Sequence, residues 1–208
     1  MPDEEENTGV SRKHFMTAVG LGALVVPAAV GAAPAAARTT QQPLTPTPSC
    51  DDGDDPTPPQ TEGPYFKPNS PQRTSLLEPG MPGTRLSVSG IVYTLSCQPV
   101  SQVLLDFWQA DYYGRYDNVG YTLRGHQYTD ANGRFTLSTI VPGLYPGRTR
   151  HIHVKVQAPS QPVLTTQLYF PGEPRNRTDR IFDPALLMDV QGGPNGKSAT
   201  FDFVLRLP

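Results

Sequence analysis

Residues 130–156 read DANGRFTLSTIVPGLYPGRTRHIHVKV, two extended runs joined by a turn rich in Pro and Gly. Asn132-Gly133 tolerates the positive φ of a tight turn and leads into a strand expected over 134–140. Asp130, at the head of that turn, reads as structural and not as a calcium ligand. Pro142-Gly143-Leu144-Tyr145-Pro146-Gly147 imposes a rigid turn, and a second strand is expected over 150–156. Side chains two apart in a strand share a face. His151 and His153 therefore project together, while Ile152, Val154 and Val156 project to the other side.

Working outward, residues 85–93 place Leu86, Val88 and Val92 on one face. Further strands are expected over 103–110 and 163–170. A last one over 200–207 carries Phe201, Phe203, Leu205 and Leu207 together. Six short runs punctuated by Gly and Pro, with no long amphipathic helix and no internal repeat, argue for an all-β fold. The architecture expected is an antiparallel β-sandwich with long loops. The 24 prolines and 19 glycines suit long, shaped connections between those strands.

The 208 residues are enough for a single domain of ordinary size. Lys plus Arg number 17 against 19 Asp plus Glu, and no basic run occurs beyond the N-terminus, so no nucleic-acid partner is expected. Residues 1–37 read as an export signal: Arg12 and Lys13 precede an uncharged stretch that ends in the small residues Ala33 to Ala37. Ser11-Arg12-Lys13-His14-Phe15-Met16 resembles a twin-arginine signal with Lys in the second basic position. Pro27, Pro34 and many alanines make the stretch weakly hydrophobic, so a cleaved signal is expected in place of a stable membrane anchor, and the mature chain is expected to be secreted. Residues 38–59, rich in Thr, Pro, Gln and Asp, read as a linker or extended arm, and 60–208 as the β-sandwich domain. In an exported chain the two cysteines, Cys50 and Cys97, are expected to pair.

Two imidazoles side by side supply half of a metal site, and Lys155 on the same face fits a solvent-facing surface equally well. His14 lies in the signal, so a three-histidine site would need His126. Acidic residues near the His-x-His strand are scarce, which leaves tyrosine as the more available donor: Tyr145 in its rigid turn, and Tyr116 after Gly114-Arg115. Each tyrosine taken alone is also an ordinary core residue. Two phenolates, hard and strongly donating, would favour a ferric ion.

Five segments in order carry a resemblance. They are Thr61-Glu62-Gly63-Pro64-Tyr65; Phe107-Trp108-Gln109-Ala110 followed by Gly114-Arg115-Tyr116; Thr139 to Pro146; Arg148 with His151-Ile152-His153; and Thr166-Gln167-Leu168-Tyr169-Phe170. Over residues 60–207 the chain resembles the intradiol ring-cleavage dioxygenases, the catechol and protocatechuate dioxygenase family, in a short exported form. The resemblance implies one non-haem Fe(III) per chain, with Tyr116 and His151 as equatorial and Tyr145 and His153 as axial ligands. It implies that Tyr145 leaves the metal and takes a proton from the substrate. Arg148 is implied to stabilise negative charge developing on the ring, Gln167 to lie near the substrate, and Thr61, Gly63, Pro64 and Tyr65 to line the pocket mouth.

The implied activity is intradiol cleavage of catechol-type aromatics by dioxygen, giving cis,cis-muconate-type products. The chain lacks the long helical N-terminal segment through which catechol dioxygenases dimerise, so dimerisation by that route is not expected. Gly147 stands where some relatives carry a bulky aromatic, and Arg150 adds a positive charge that could select an acidic catechol, face solvent or pair with an acidic loop. The competing reading is a non-catalytic transthyretin-like or carbohydrate-binding sandwich. It explains Asp130 to Tyr145 and gives no reason for the His-x-His pair, Arg148 or Gln167.

Overall fold

A computed structural model describes residues 55–207. The expected export signal, most of the expected arm and Cys50 of the expected Cys50–Cys97 pair lie outside the described residues; no free cysteine occurs among those described. The strands are β1 Arg85–Thr94, β2 Leu104–Trp108, β3 Arg124–Tyr128, β4 Arg134–Ile140, β5 His151–Gln157, β6 Leu164–Tyr169, β7 Asp189–Gly193, β8 Gly196–Thr200 and β9 Phe203–Leu205. Two short 3-10 turns, Pro174–Arg177 and Pro184–Leu186, lie between β6 and β7. Among the described residues no helix is long and apolar enough to cross a membrane.

The strands form two sheets, one in the order β4-β1-β8-β7 with β9 also on β1, the other in the order β3-β2-β5-β6. Pairing is antiparallel except where β1 meets β8 and β9, which run parallel to it. The core lies where the alternating apolar residues of both sheets meet. Leu86, Val88 and Val92 of β1 and Phe135 and Leu137 of β4 are buried with Leu105 and Phe107 of β2 and Ile152, Val154 and Val156 of β5. Burying each such side chain is worth about 1.5–3 kcal/mol, which fixes the register of β5 and with it the face that its histidines take.

The run expected over 200–207 is broken into β8 and β9. Gly90 of β1 permits the path at the break: a Cβ there would stand 1.8 Å from the Phe201 carbonyl oxygen, so the chain passes this close only because that atom is absent. Asp202 fills the break by accepting the Ile91 amide at 2.7 Å. Three strands have no apolar alternation to announce them: β3 (RGHQY), β7 (DVQGG) and β8 (GKSAT). Thr57 and Pro58, placed in the arm by composition, bond into the domain: the Thr57 amide reaches the Val204 carbonyl at 2.9 Å, and Thr166 Oγ1 donates to the Pro58 carbonyl at 2.7 Å.

Candidate active site

The outer face of the second sheet carries the site. Cross-strand register places Trp108 opposite His153 and Arg124 opposite Trp108, while His151 faces Tyr169 and His153 faces Gln167. These side chains share one parity and so one face, and loops cover it. Lys155 continues the same face, ion-pairs with Glu62 and lies 3.6 Å over the Phe66 ring, so the level beyond the histidines is closed by side chains.

Tyr116 reaches the face from the loop after β2, and Tyr145 from the turn before β5. These two segments are stitched together: the Gly143 amide donates to the Asp111 carbonyl at 2.8 Å. At Gly114, φ is +81° and a Cβ would stand 2.3 Å from the Leu144 carbonyl oxygen. Only glycine permits that approach.

Three donor atoms converge. The Tyr116 hydroxyl lies 3.2 Å from His151 Nε2 and 3.1 Å from His153 Nε2, and the two Nε2 atoms are 3.1 Å apart. Adjacent ligands held at about 2.1 Å from one ion stand about 3 Å apart, so the triangle has the size of one face of a coordination sphere. His151 Nδ1 lies 2.6 Å from the Thr149 carbonyl and must donate to it, which leaves the Nε2 lone pair free for a metal. Burial pushes the His151 pKa down to about 4 despite that bond, with the Arg148 charge acting the same way. Burial likewise drives His153 well down, so both imidazoles are neutral at neutral pH. Burial pushes the Tyr116 phenol well up from its ordinary value, against the charges of Arg148 and Arg124. A nearby multivalent cation reverses that balance and favours the phenolate. Among the described residues no three His, Cys, Asp or Glu side chains gather to hold an ion, so a metal here depends on the phenols.

Tyr145 stands one ring away from the triangle, edge-on to Tyr116 with centroids 5.8 Å apart, and its hydroxyl is 2.9 Å from that of Tyr65. Tyr65 in turn stacks on Tyr116 at 4.6 Å. The mouth residues gather here as well. The Thr61 carbonyl accepts Gln167 Nε2 at 2.8 Å, and a Cβ on Gly63 would lie 3.7 Å from His153 Cε1. Pro64 and Tyr65 form the turn beyond. Arg148 Nη2 donates to Gln167 Oε1 at 2.6 Å, and its Nε to Asp179 Oδ2 at 2.8 Å.

Two other residues weighed from sequence lie elsewhere. His126 is level with Lys155 in the register and faces Ser70 at 3.2 Å, two strands away from the histidine pair's own strand. Arg150 has the opposite parity to the histidines, and its charge is taken by Glu173 at 2.6 Å and by the Pro142 carbonyl. Three contributors had no role assigned from sequence: Trp108, stacked on His153; Arg124, whose Nη1 donates to the Tyr65 carbonyl at 2.6 Å; and Asp179. Trp108 and Arg124 follow from strand parity once β3 is known. Asp179 sits in a loop and has no periodic signal.

The family model described as Dioxygenase matches residues 61–206. The chain belongs to the intradiol dioxygenase family. A solved dioxygenase domain, from a dioxygenase carbohydrate-binding protein fusion of Streptomyces sp. SirexAA-E, is 66% identical, with a TM-score of 0.73 over 74% of this chain and 100% of that one. The 3-chlorocatechol 1,2-dioxygenase of Rhodococcus opacus 1CP is 30% identical, with a TM-score of 0.68 over 74% of each chain. The protocatechuate 3,4-dioxygenase beta chain of Burkholderia cepacia is 35% identical over 118 residues, 48% of this chain and 50% of that relative. The match to that curated relative therefore spans half of its length. Of the five sequence segments that suggested the family, Trp108, His151, His153 and Gln167 fall on one face of the second sheet and Tyr65, Tyr116, Tyr145 and Arg148 in the loops around it, while Thr139 and Ile140 belong to β4 of the other sheet.

Proposed function

We propose that the chain cleaves catechol-type aromatic rings between the two hydroxyl-bearing carbons with dioxygen, at a non-haem Fe(III) held by Tyr116, Tyr145, His151 and His153. The observation that carries this reading is the triangle of Tyr116 Oη, His151 Nε2 and His153 Nε2, with separations of 3.1–3.2 Å and neutral imidazoles. Bound there, the ferric ion supplies Lewis acidity and accepts electron density from a catecholate. The remaining work falls to the protein. Thr149 keeps the His151 proton on Nδ1. Tyr65 offers the Tyr145 hydroxyl a hydrogen-bond partner at 2.9 Å, a place where the phenol would hold a proton taken from the substrate. Arg148, fixed by Gln167, presents positive charge to the ring as negative charge develops on it.

The mature enzyme is proposed to be secreted, with environmental plant-derived catechols as substrates and cis,cis-muconate-type products. Arg150, committed to Glu173, is not available to select an acidic ring, and nothing in the described site favours a non-catalytic module over the enzyme.

The test is iron analysis and visible absorption of the purified chain, before and after catechol is added under nitrogen, followed by admission of oxygen. A tyrosinate-to-iron band that shifts with catechol, and an intradiol product after oxygen, are expected. A protein that stays colourless and iron-free after Fe(III) reconstitution sinks the reading.

A further inference from the structure

The loop between β6 and β7 is bonded to the turn that carries Tyr145 and Arg148. Arg175 Nη1 donates to the Tyr145 and Arg148 carbonyls, each at 3.2 Å, and Thr149 Oγ1 donates to Asn176 Oδ1 at 2.6 Å. The innermost tie is Asp179, whose side chain is only 3% exposed. Its Oδ2 accepts both Arg148 Nε at 2.8 Å and the Thr149 amide at 2.9 Å, and its Oδ1 accepts the Ile181 amide at 3.2 Å.

That one carboxylate therefore touches two parts of the site. The Arg148 guanidinium is held at Nε by Asp179 and at Nη2 by Gln167 and, at 3.4 Å, by the Tyr169 hydroxyl, leaving Nη1 without a hydrogen bond among the described residues. A planar guanidinium pinned at two of its nitrogens has its third aimed by geometry alone. Thr149, fully buried, gives its amide to Asp179 and takes the His151 Nδ1 proton on its carbonyl. A carboxylate suits this place because it both neutralises a largely buried guanidinium and accepts from two donors at one oxygen.

We propose that Asp179 is a positioning residue of this site: its carboxylate aims Arg148 Nη1 toward the bound ring and, through Thr149, holds the His151 imidazole in its metal-facing orientation. This rests on the function proposed for Arg148 above. Asp179 touches neither substrate nor metal and acts only through these two neighbours.

The test is a double-mutant cycle of Asp179→Asn and Arg148→Gln in the iron-loaded full chain. It is combined with hydrogen exchange of the Arg148 Nε–H and Thr149 amide protons by NMR in the metal-free protein. D179N is expected to keep its iron and to lose on the order of 10–100-fold in kcat, the cost of a misplaced catalytic group. Its KM is expected to change less than about threefold, because ground-state binding is untouched. In the R148Q background D179N is expected to add no more than about twofold, since the two residues act as a unit. Protection of both protons is expected to vanish in D179N and to persist in Glu173→Gln, which breaks the Arg150 pair instead. Wild-type turnover with unchanged exchange, or additive losses in the cycle, overturns the proposal. Faster iron release to a chelator from a folded D179N is the loss expected through His151, whereas loss of the fold in D179N assigns the carboxylate to structure and also overturns the proposal. If the iron-loaded wild-type chain cleaves no catechol, the functional reading falls, and exchange alone decides: lost protection supports the brace and retained protection refutes it.

Discussion

Trp108 lies flat against His153, with ring centroids 4.7 Å apart and planes 8° from parallel. The two are register partners across β2 and β5, and both are almost fully buried. The indole thus backs a histidine whose Nε2 belongs to the donor triangle, joining packing to site geometry in one contact. Trp108→Ala is expected to destabilise the metal-free protein by about 3–5 kcal/mol, the usual cost of emptying a buried aromatic site. Trp108→Phe, which keeps a ring against the imidazole, is expected to cost clearly less. Urea unfolding of both variants checks this, and equal losses would show that the stacking plane is unimportant.

Metal retention should separate the donor triangle from the other histidine of the described domain. Tyr116→Phe removes the oxygen that stands within 3.2 Å of both Nε2 atoms and is expected to lose most bound iron, leaving on the residual iron only the weaker band that Tyr145 alone supplies. His126→Ala, two strands away beside Ser70, is expected to leave iron content unchanged. Iron per chain after Fe(III) reconstitution and desalting is the measurement. The reverse pattern would move the centre to His126.

Gly114 offers a test of how the two tyrosine-bearing loops are held. At φ +81°, an added Cβ would stand 2.3 Å from the Leu144 carbonyl oxygen, which belongs to the turn carrying Tyr145. Gly114→Ala must push the Tyr116 and Tyr145 segments apart or strain both, at about 1–3 kcal/mol for the backbone conformation alone. The variant is expected to melt earlier and to release iron faster to a chelator than the parent does. An unchanged release rate would mean that the loops do not depend on that close approach.

The parts of this site that could be read from sequence are those governed by strand parity. His151 and His153 share a face because they are two apart, and the apolar residues between and beyond them fix which face is buried in the core. Tyr116 and Tyr145 needed the family resemblance, since loop residues have no period to place them. Parity also disposes of Arg150, which falls on the other side from the histidines and meets Glu173. What stayed illegible has a common cause. The strands β3, β7 and β8 are polar or glycine-rich, so no alternation marks them, and the break at Phe201–Asp202 depends on a missing Cβ at Gly90 far away in the chain. Asp179 is illegible for the same reason: its partners Arg148 and Thr149 lie about thirty residues earlier and meet it only in the folded state.

Asp179 also predicts a pH dependence of stability that needs no metal. Burial opposes its charge, yet the Thr149 amide, Arg148 and the Ile181 amide together hold its carboxyl below the ordinary carboxylate value. The folded state then binds this proton less tightly than the unfolded chain, whose aspartates titrate near about 3.9. The group's contribution is therefore fully present above that unfolded value and is lost as pH falls through the lower folded one. Metal-free wild type is expected to lose stability steeply below about pH 4, as carboxylates held in this way are protonated. Asp179→Asn, with no proton to take up, is expected to start less stable at neutral pH and to converge on the wild type under acid. Urea midpoints of the two proteins between neutral and strongly acid pH measure the gap. A gap that stays constant across that range would show that the Asp179 carboxylate carries no charge-dependent part of the fold.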